Sequence, residues 1–127
     1  MISKRVLIVD DESDVNLTIK MALEENGFKV DSFTDPLLAL ENFKGESDLY
    51  DILILDIRMP NMNGFELYRE IKKIDNKVKI CFLTAGEMDY DKFGKEIFPA
   101  LEKNCFVQKP IQNETLIKRI DRIISAK

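Results

Sequence analysis

Four short apolar runs constrain this chain more than any other feature in it. Val6-Leu7-Ile8-Val9, Ile52-Leu53-Ile54-Leu55, residues 78–83 (interrupted by Lys79) and Cys105-Phe106-Val107 are each flanked by polar positions. A run that is apolar at consecutive positions leaves no side for water, so each reads as a strand buried on both faces. Phe28-Lys29-Val30-Asp31-Ser32-Phe33 alternates instead, the pattern of an edge strand with one solvated face. Five strands are expected.

Helical patterns separate them. Val15, Ile19, Ala22 and Leu23 share one helical face, and Gly27 is placed to end that helix. Asp35-Pro36 supplies an N-cap and a first-turn proline to a helix carrying Leu37, Leu40 and Phe43. Leu67, Tyr68, Ile71 and Ile74 mark a third helix, and Leu116, Ile117, Ile120, Ile123 and Ile124 a last one. Between these two, residues 87–103 carry Tyr90, Phe93, Ile97 and Phe98 with weaker periodicity, and read as a further helix despite Gly94 and Pro99. Five helices alternating with five strands require parallel pairing through right-handed crossovers, hence a three-layer α/β/α sandwich. The 127 residues suit one domain, 1–127, with no output domain in the chain.

In such a sheet, ligands gather at the carboxyl ends of the strands. The first strand runs into Asp10-Asp11-Glu12, the third into Asp56, the fourth into Thr84 and the fifth into Lys109-Pro110. Each has an ordinary explanation taken alone: a helix cap, a turn, a strand hydroxyl, a surface charge. Together they bring two or three carboxylates to one edge, where they repel unless a proton or cation joins them.

The chain has no histidine. That excludes Ser/His/Asp and Cys/His nucleophiles, imidazole-ligated metals, and a phosphohistidine on this chain. An all-oxygen site suits Mg²⁺. A carboxylate nucleophile, Mg²⁺, an ammonium and a hydroxyl are the parts of a phosphoryl transfer to aspartate.

The remaining composition is bland. Nineteen basic against 23 acidic residues leave a net charge of -4, which argues against direct nucleic-acid binding. Cys81 and Cys105 lie in apolar stretches and read as buried thiols in a reducing compartment. No apolar run is long enough for a signal segment or membrane span, so a cytoplasmic location is expected.

The motifs resemble those of the response-regulator receiver domain of two-component signalling, over nearly the whole chain. They are Val6-Leu7-Ile8-Val9-Asp10-Asp11-Glu12, Ile54-Leu55-Asp56-Ile57-Arg58-Met59-Pro60 with Asn63-Gly64, Leu83-Thr84-Ala85, and Phe106-Val107-Gln108-Lys109-Pro110. The resemblance implies a flavodoxin-like strand order 2-1-3-4-5. It makes Asp56 the phosphoacceptor and has Asp10, Asp11, Asp56 and the backbone carbonyl of Arg58 hold Mg²⁺. Lys109 and Thr84 would stabilise the phosphoryl group, and Thr84 with Phe106 would form the switch. Lys109-Pro110 would carry the family's cis peptide. The donor would be a histidine kinase or histidine phosphotransfer protein, and the output a changed partner surface. Such a protein is a signalling switch that catalyses only its own phosphorylation and dephosphorylation.

Two features depart from the family or tune it. Glu87-Met88-Asp89-Tyr90-Asp91 and Phe98-Pro99 stand where the family commonly has an Ala/Gly-rich helix, so the resemblance does not carry over the family's usual output surface. By the same resemblance, Arg58 and Gly86 match positions that in the family tune acyl-phosphate lifetime. Two other readings compete. One is a phosphorylation-independent interaction module of the same fold. The other is an aspartyl-phosphate phosphohydrolase, which commonly wants an acid two residues after the nucleophile, where this chain has Arg58.

Overall fold

The computed structural model describes residues 4–45, 49–85 and 105–126. Its elements alternate as expected up to β4: β1 (Arg5–Val9), α1 (Ser13–Glu25), β2 (Lys29–Phe33), α2 (Pro36–Gly45), β3 (Ile52–Asp56), α3 (Gly64–Ile74) and β4 (Lys79–Thr84), with β5 (Phe106–Gln108) and α4 (Asn113–Ser125) after the undescribed stretch. The five strands form one parallel sheet in the order β2-β1-β3-β4-β5. Four helices are present among the described residues; the helix expected over 87–103 lies outside them, as do Tyr90, Phe93, Phe98 and Gly86.

The all-apolar strands are buried on both faces because successive side chains alternate between two cores. Leu7, Val9, Leu53, Leu55, Phe82 and Phe106 pack with Ala39, Leu40 and Phe43 of α2 and Leu67, Tyr68 and Ile71 of α3. Val6, Ile8, Ile52, Ile54, Cys81, Leu83 and Val107 pack with Ile19 and Leu23 of α1 and Leu116, Ile120 and Ile123 of α4. A one-residue slip in any central strand would exchange its two cores at once, so packing and ladder specify the same register.

Local chemistry sets the helix ends. At the end of α1, Gly27 adopts φ +89°, and its N–H and that of Phe28 close on the carbonyls of Glu24 and Leu23, a Schellman-type stop. Asp35 Oδ1 accepts from the amide of Leu37 at 2.9 Å and so starts α2. Asn63 and Glu66 form a reciprocal capping box at the start of α3. Two helix positions read as core are exposed instead, Leu37 and Ile74. Leu37 lies in the first turn of α2 and Ile74 ends α3.

Parallel pairing puts every strand's carboxyl end on one edge. The ladder continues past the strands into that edge: Asp10 N donates to Phe33 O, Ile57 N to Leu83 O, and Lys109 N to Thr84 O. The residues that follow β1, β3 and β5 are therefore held by sheet hydrogen bonds rather than by free loops.

Candidate phosphoacceptor and metal site

Carboxylate oxygens of Asp10, Asp11 and Asp56 lie within 4.8 Å of one another. Asp10 is fully buried, Asp56 is 5% exposed and Thr84 4%, while Asp11 faces solvent. Lys109 reaches in from the end of β5, with Nζ 2.7 Å from Asp10 Oδ2, 3.4 Å from Glu12 Oε1 and 3.5 Å from Asp56 Oδ1. One ammonium thus faces three acidic side chains.

The electrostatic consequence falls on Asp56. Burial pushes its carboxyl up from 3.8 to about 7; the neighbouring Asp10 charge adds to the rise, Lys109 opposes it, and a hydrogen bond and charge from Asp11 reinforce it. Burial works against the charge of Lys109, but Asp10, Asp56 and Glu12 outweigh it and raise its pKa. Asp10 Oδ1 accepts from the amide of Glu12 at 2.9 Å. Its buried Oδ2 has the ammonium as charge partner and no aligned hydrogen bond among the described residues.

These observations fit a hard divalent cation. The donor set is all oxygen, and three converging carboxylates carry more negative charge than the Lys109 ammonium neutralises. Asp10, Asp11 and Asp56 are the side chains that would hold it.

The loop after β3 is shaped by Gly64. A Cβ there would overlap the carbonyl oxygen of Asp56 and stand 3.0 Å from Ile57 Cα. Gly64 N donates to Ile57 O at 2.9 Å, and Asn61 adopts φ +73°. Arg58 lies in this loop, two residues beyond Asp56, with its side chain exposed. The Lys109–Pro110 peptide is cis, as the resemblance implies.

Thr84 and Phe106 share a sheet face. Phe82 pairs with Phe106 and Thr84 with Gln108, and alternation places Thr84 on the side of Phe82 and Phe106. Phe106 is turned inward, 9% exposed, with its ring 5.2 Å from that of Phe82 and 6.3 Å from that of Phe65.

Two participants are absent from the sequence-based site. Glu12 shares Lys109, although its position beside Asp11 marked it only as part of a motif. Asn16 is buried and donates to the carbonyls of Asp10 and Phe33. Its signal was a polar residue three positions before Ile19, within the apolar stripe of α1.

Residues 6–121 match the family described as response regulator receiver domain. The chain is 34% identical to the response regulator ArlR of Staphylococcus saprophyticus, over 91% of this chain and 50% of that protein. It is 33% identical to a CpxR homologue, a transcriptional regulatory protein of Haemophilus influenzae, over 94% and 50%. The chain therefore spans about half the length of these curated relatives. Among solved structures, a response regulator receiver domain protein from Clostridium thermocellum superposes with a TM-score of 0.83 at 29% identity, covering 95% of this chain and 94% of that one. The response regulator TrrA of Thermotoga maritima, solved with Mg²⁺ and BeF, superposes at 0.78 with 32% identity, over 94% and 98%. With a matching family profile across most of its length and a sheet of the same order, the chain belongs to the response regulator receiver domain family.

Proposed function

We propose that this receiver is a phosphoacceptor switch in which Asp56 takes a phosphoryl group from a histidine kinase or histidine phosphotransfer protein. The observation that carries the reading is the convergence of Asp10, Asp11, Asp56 and Lys109 on one edge, with Asp56 the acid at the end of the central strand β3. An ionised Asp56 oxygen attacks phosphorus as the phosphorus–nitrogen bond of the donor breaks, and the electron pair leaves with the imidazole. Asp10, Asp11, Asp56 and the Arg58 carbonyl would hold Mg²⁺, which would supply positive charge to the carboxylates and the phosphoryl oxygens. Lys109, already 3.5 Å from Asp56, supplies a second positive charge to the product.

The acyl phosphate adds nearly two negative charges and three acceptor oxygens at the end of β3. The Thr84 hydroxyl, at the end of the neighbouring strand, donates to it. A shift of Thr84 opens space on the face it shares with Phe106, so Phe106 can change its packing and pass the signal to the β4–β5 side of the molecule. The domain catalyses only its own phosphorylation and dephosphorylation. We place it in the cytoplasm, where Cys81 and Cys105, neither in a disulfide, stay reduced; among the described residues no helix is long and apolar enough to cross a membrane.

A small phosphoramidate or acyl phosphate donor tests the reading directly. With Mg²⁺, the intact protein should gain the mass of one phosphoryl group as an acid-stable, base-labile adduct. The same adduct forming in Asp56→Asn would sink the assignment.

A further inference from the structure

Asn16 sits in the first turn of α1, 4% exposed. Its side-chain amide spends both hydrogens on main-chain carbonyls: Nδ2 donates to Asp10 O at 2.8 Å and to Phe33 O at 2.9 Å. Phe33 O also accepts from Asp10 N. The main chain of Asp10 is thereby held on both sides, its N–H by β2 and its C=O by α1.

The Asp10 carbonyl belongs to the planar peptide that also carries Asp11 N. Holding that oxygen fixes the plane from which the Asp11 side chain departs. The segment is closed further by Glu12 N on Asp10 Oδ1 and by Asn16 N on Glu12 O. Glu12, the N-cap of α1, makes no side-chain capping bond, so the segment between β1 and α1 is held by these main-chain contacts and by the two bonds Asn16 donates.

Asn16 Oδ1 is buried and finds no hydrogen-bond donor among the described residues. Among the described residues its side chain thus acts as a double donor. A side chain selected for packing alone would be leucine, which has the same branching without the orphaned oxygen.

We propose that Asn16 is a positioning residue for the acid pair: by bridging Asp10 O and Phe33 O it holds the Asp10–Asp11 main chain in the shape that lets both carboxylates converge on Asp56. The proposal rests on the reading of Asp10, Asp11 and Asp56 as a Mg²⁺ site. Partners that orient metal ligands typically change metal affinity by roughly 10–100-fold when removed.

The test compares Asn16→Leu, Asn16→Asp and Ile19→Ala in the full chain. Ile19 lies one turn further along α1, in the core, and serves as the merely structural control. Mg²⁺ affinity is read by calorimetry, and hydrogen exchange is read at the amides of residues 10–12 against the slowest core amides. Asn16→Leu should weaken Mg²⁺ binding by about tenfold or more and speed exchange at residues 10–12 beyond any global change. Asn16→Asp, whose carboxylate would face two carbonyls, should weaken it further. Ile19→Ala should lower global protection while leaving Mg²⁺ affinity within about twofold.

Wild-type affinity in Asn16→Leu, or an equal loss in Ile19→Ala, overturns the proposal. If the wild-type protein itself fails to bind Mg²⁺, the metal reading fails separately. The positioning role is then decided by exchange alone: selective acceleration at residues 10–12 in Asn16→Leu upholds it, and unchanged exchange there refutes it.

Discussion

Lys109 Nζ stands 2.7 Å from Asp10 Oδ2 but 3.5 Å from Asp56 Oδ1, so the ammonium of the site pairs more closely with the acid after β1 than with the acid that ends β3. It occupies the cationic role for the very carboxylate that a metal would use. Lysine and metal therefore compete for Asp10, and a phosphoryl group on Asp56 would offer the lysine a new partner.

That competition predicts opposite effects of one substitution. Lys109→Gln should tighten Mg²⁺ binding by about tenfold, equivalent to about 1.4 kcal/mol, while slowing phosphorylation by a small donor. Calorimetry and the rate of adduct formation measure the two effects. Weaker metal binding in the variant would show that Lys109 organises the acids rather than competing for them.

Asp56 should make metal-free stability depend on pH. Its carboxyl is raised from 3.8 to about 7, chiefly by burial. Between those values the folded protein holds a proton that the unfolded chain has released, so stability falls as pH rises through the window. At about 1.4 kcal/mol per pKa unit, the loss from this group is on the order of a few kcal/mol by pH 8. Asp56→Asn should abolish this component and be the more stable protein at pH 8 without metal, whereas the difference should shrink near pH 4. Urea midpoints in chelator at pH 5 and pH 8 check the sign.

Gly64 is a packing requirement at the end of β3. Gly64→Ala sets a methyl group against the Asp56 carbonyl oxygen and Ile57 Cα, both main-chain atoms that cannot swing aside. The expected cost is about 1–3 kcal/mol. Slower phosphorylation should accompany it, because relief of the clash moves the main chain of Asp56 itself. A urea melt and the adduct rate, compared with an exposed-site substitution such as Lys44→Ala, separate this from a general effect.

Tyr50 provides the converse case, stability without chemistry. It precedes β3, at the opposite end of that strand from Asp56. Its hydroxyl donates to Asp31 Oδ2 at 2.6 Å and accepts from Asn42 Nδ2 at 2.8 Å. Arg5 pairs with the same Asp31 oxygen at 2.8 Å and lies over the Tyr50 ring. Tyr50→Phe should cost about 1–2 kcal/mol and leave phosphorylation unchanged. Burial, reinforced by Asp31, raises the hydroxyl to about 12, so its contribution is complete below pH 10 and lost as pH rises from 10 to 12. Alkaline unfolding of the two proteins should converge across that range.

The sequence by itself determined the elements and the edge on which the acids meet. Consecutive apolar positions in β1, β3 and β4 demand cover on both faces, Asp35-Pro36 starts α2, Gly27 stops α1, and strand–helix alternation makes the pairing parallel. Parallel pairing then puts Asp10, Asp56, Thr84 and Lys109 at one edge whatever the loops do. These are local or topological rules, expressed by neighbours along the chain.

Only the tertiary structure decided how that edge is wired. No local rule says that Lys109 sits nearer Asp10 than Asp56, because the choice depends on the depth of each carboxylate and the reach of a side chain entering from β5. Nor does one reveal that Asn16, on the apolar stripe of α1, belongs to the acid site through the carbonyls of β1 and β2. Hydrogen bonds and charges at a site join residues far apart in sequence, with energies set by burial and distance. Those quantities exist only once the two cores have packed.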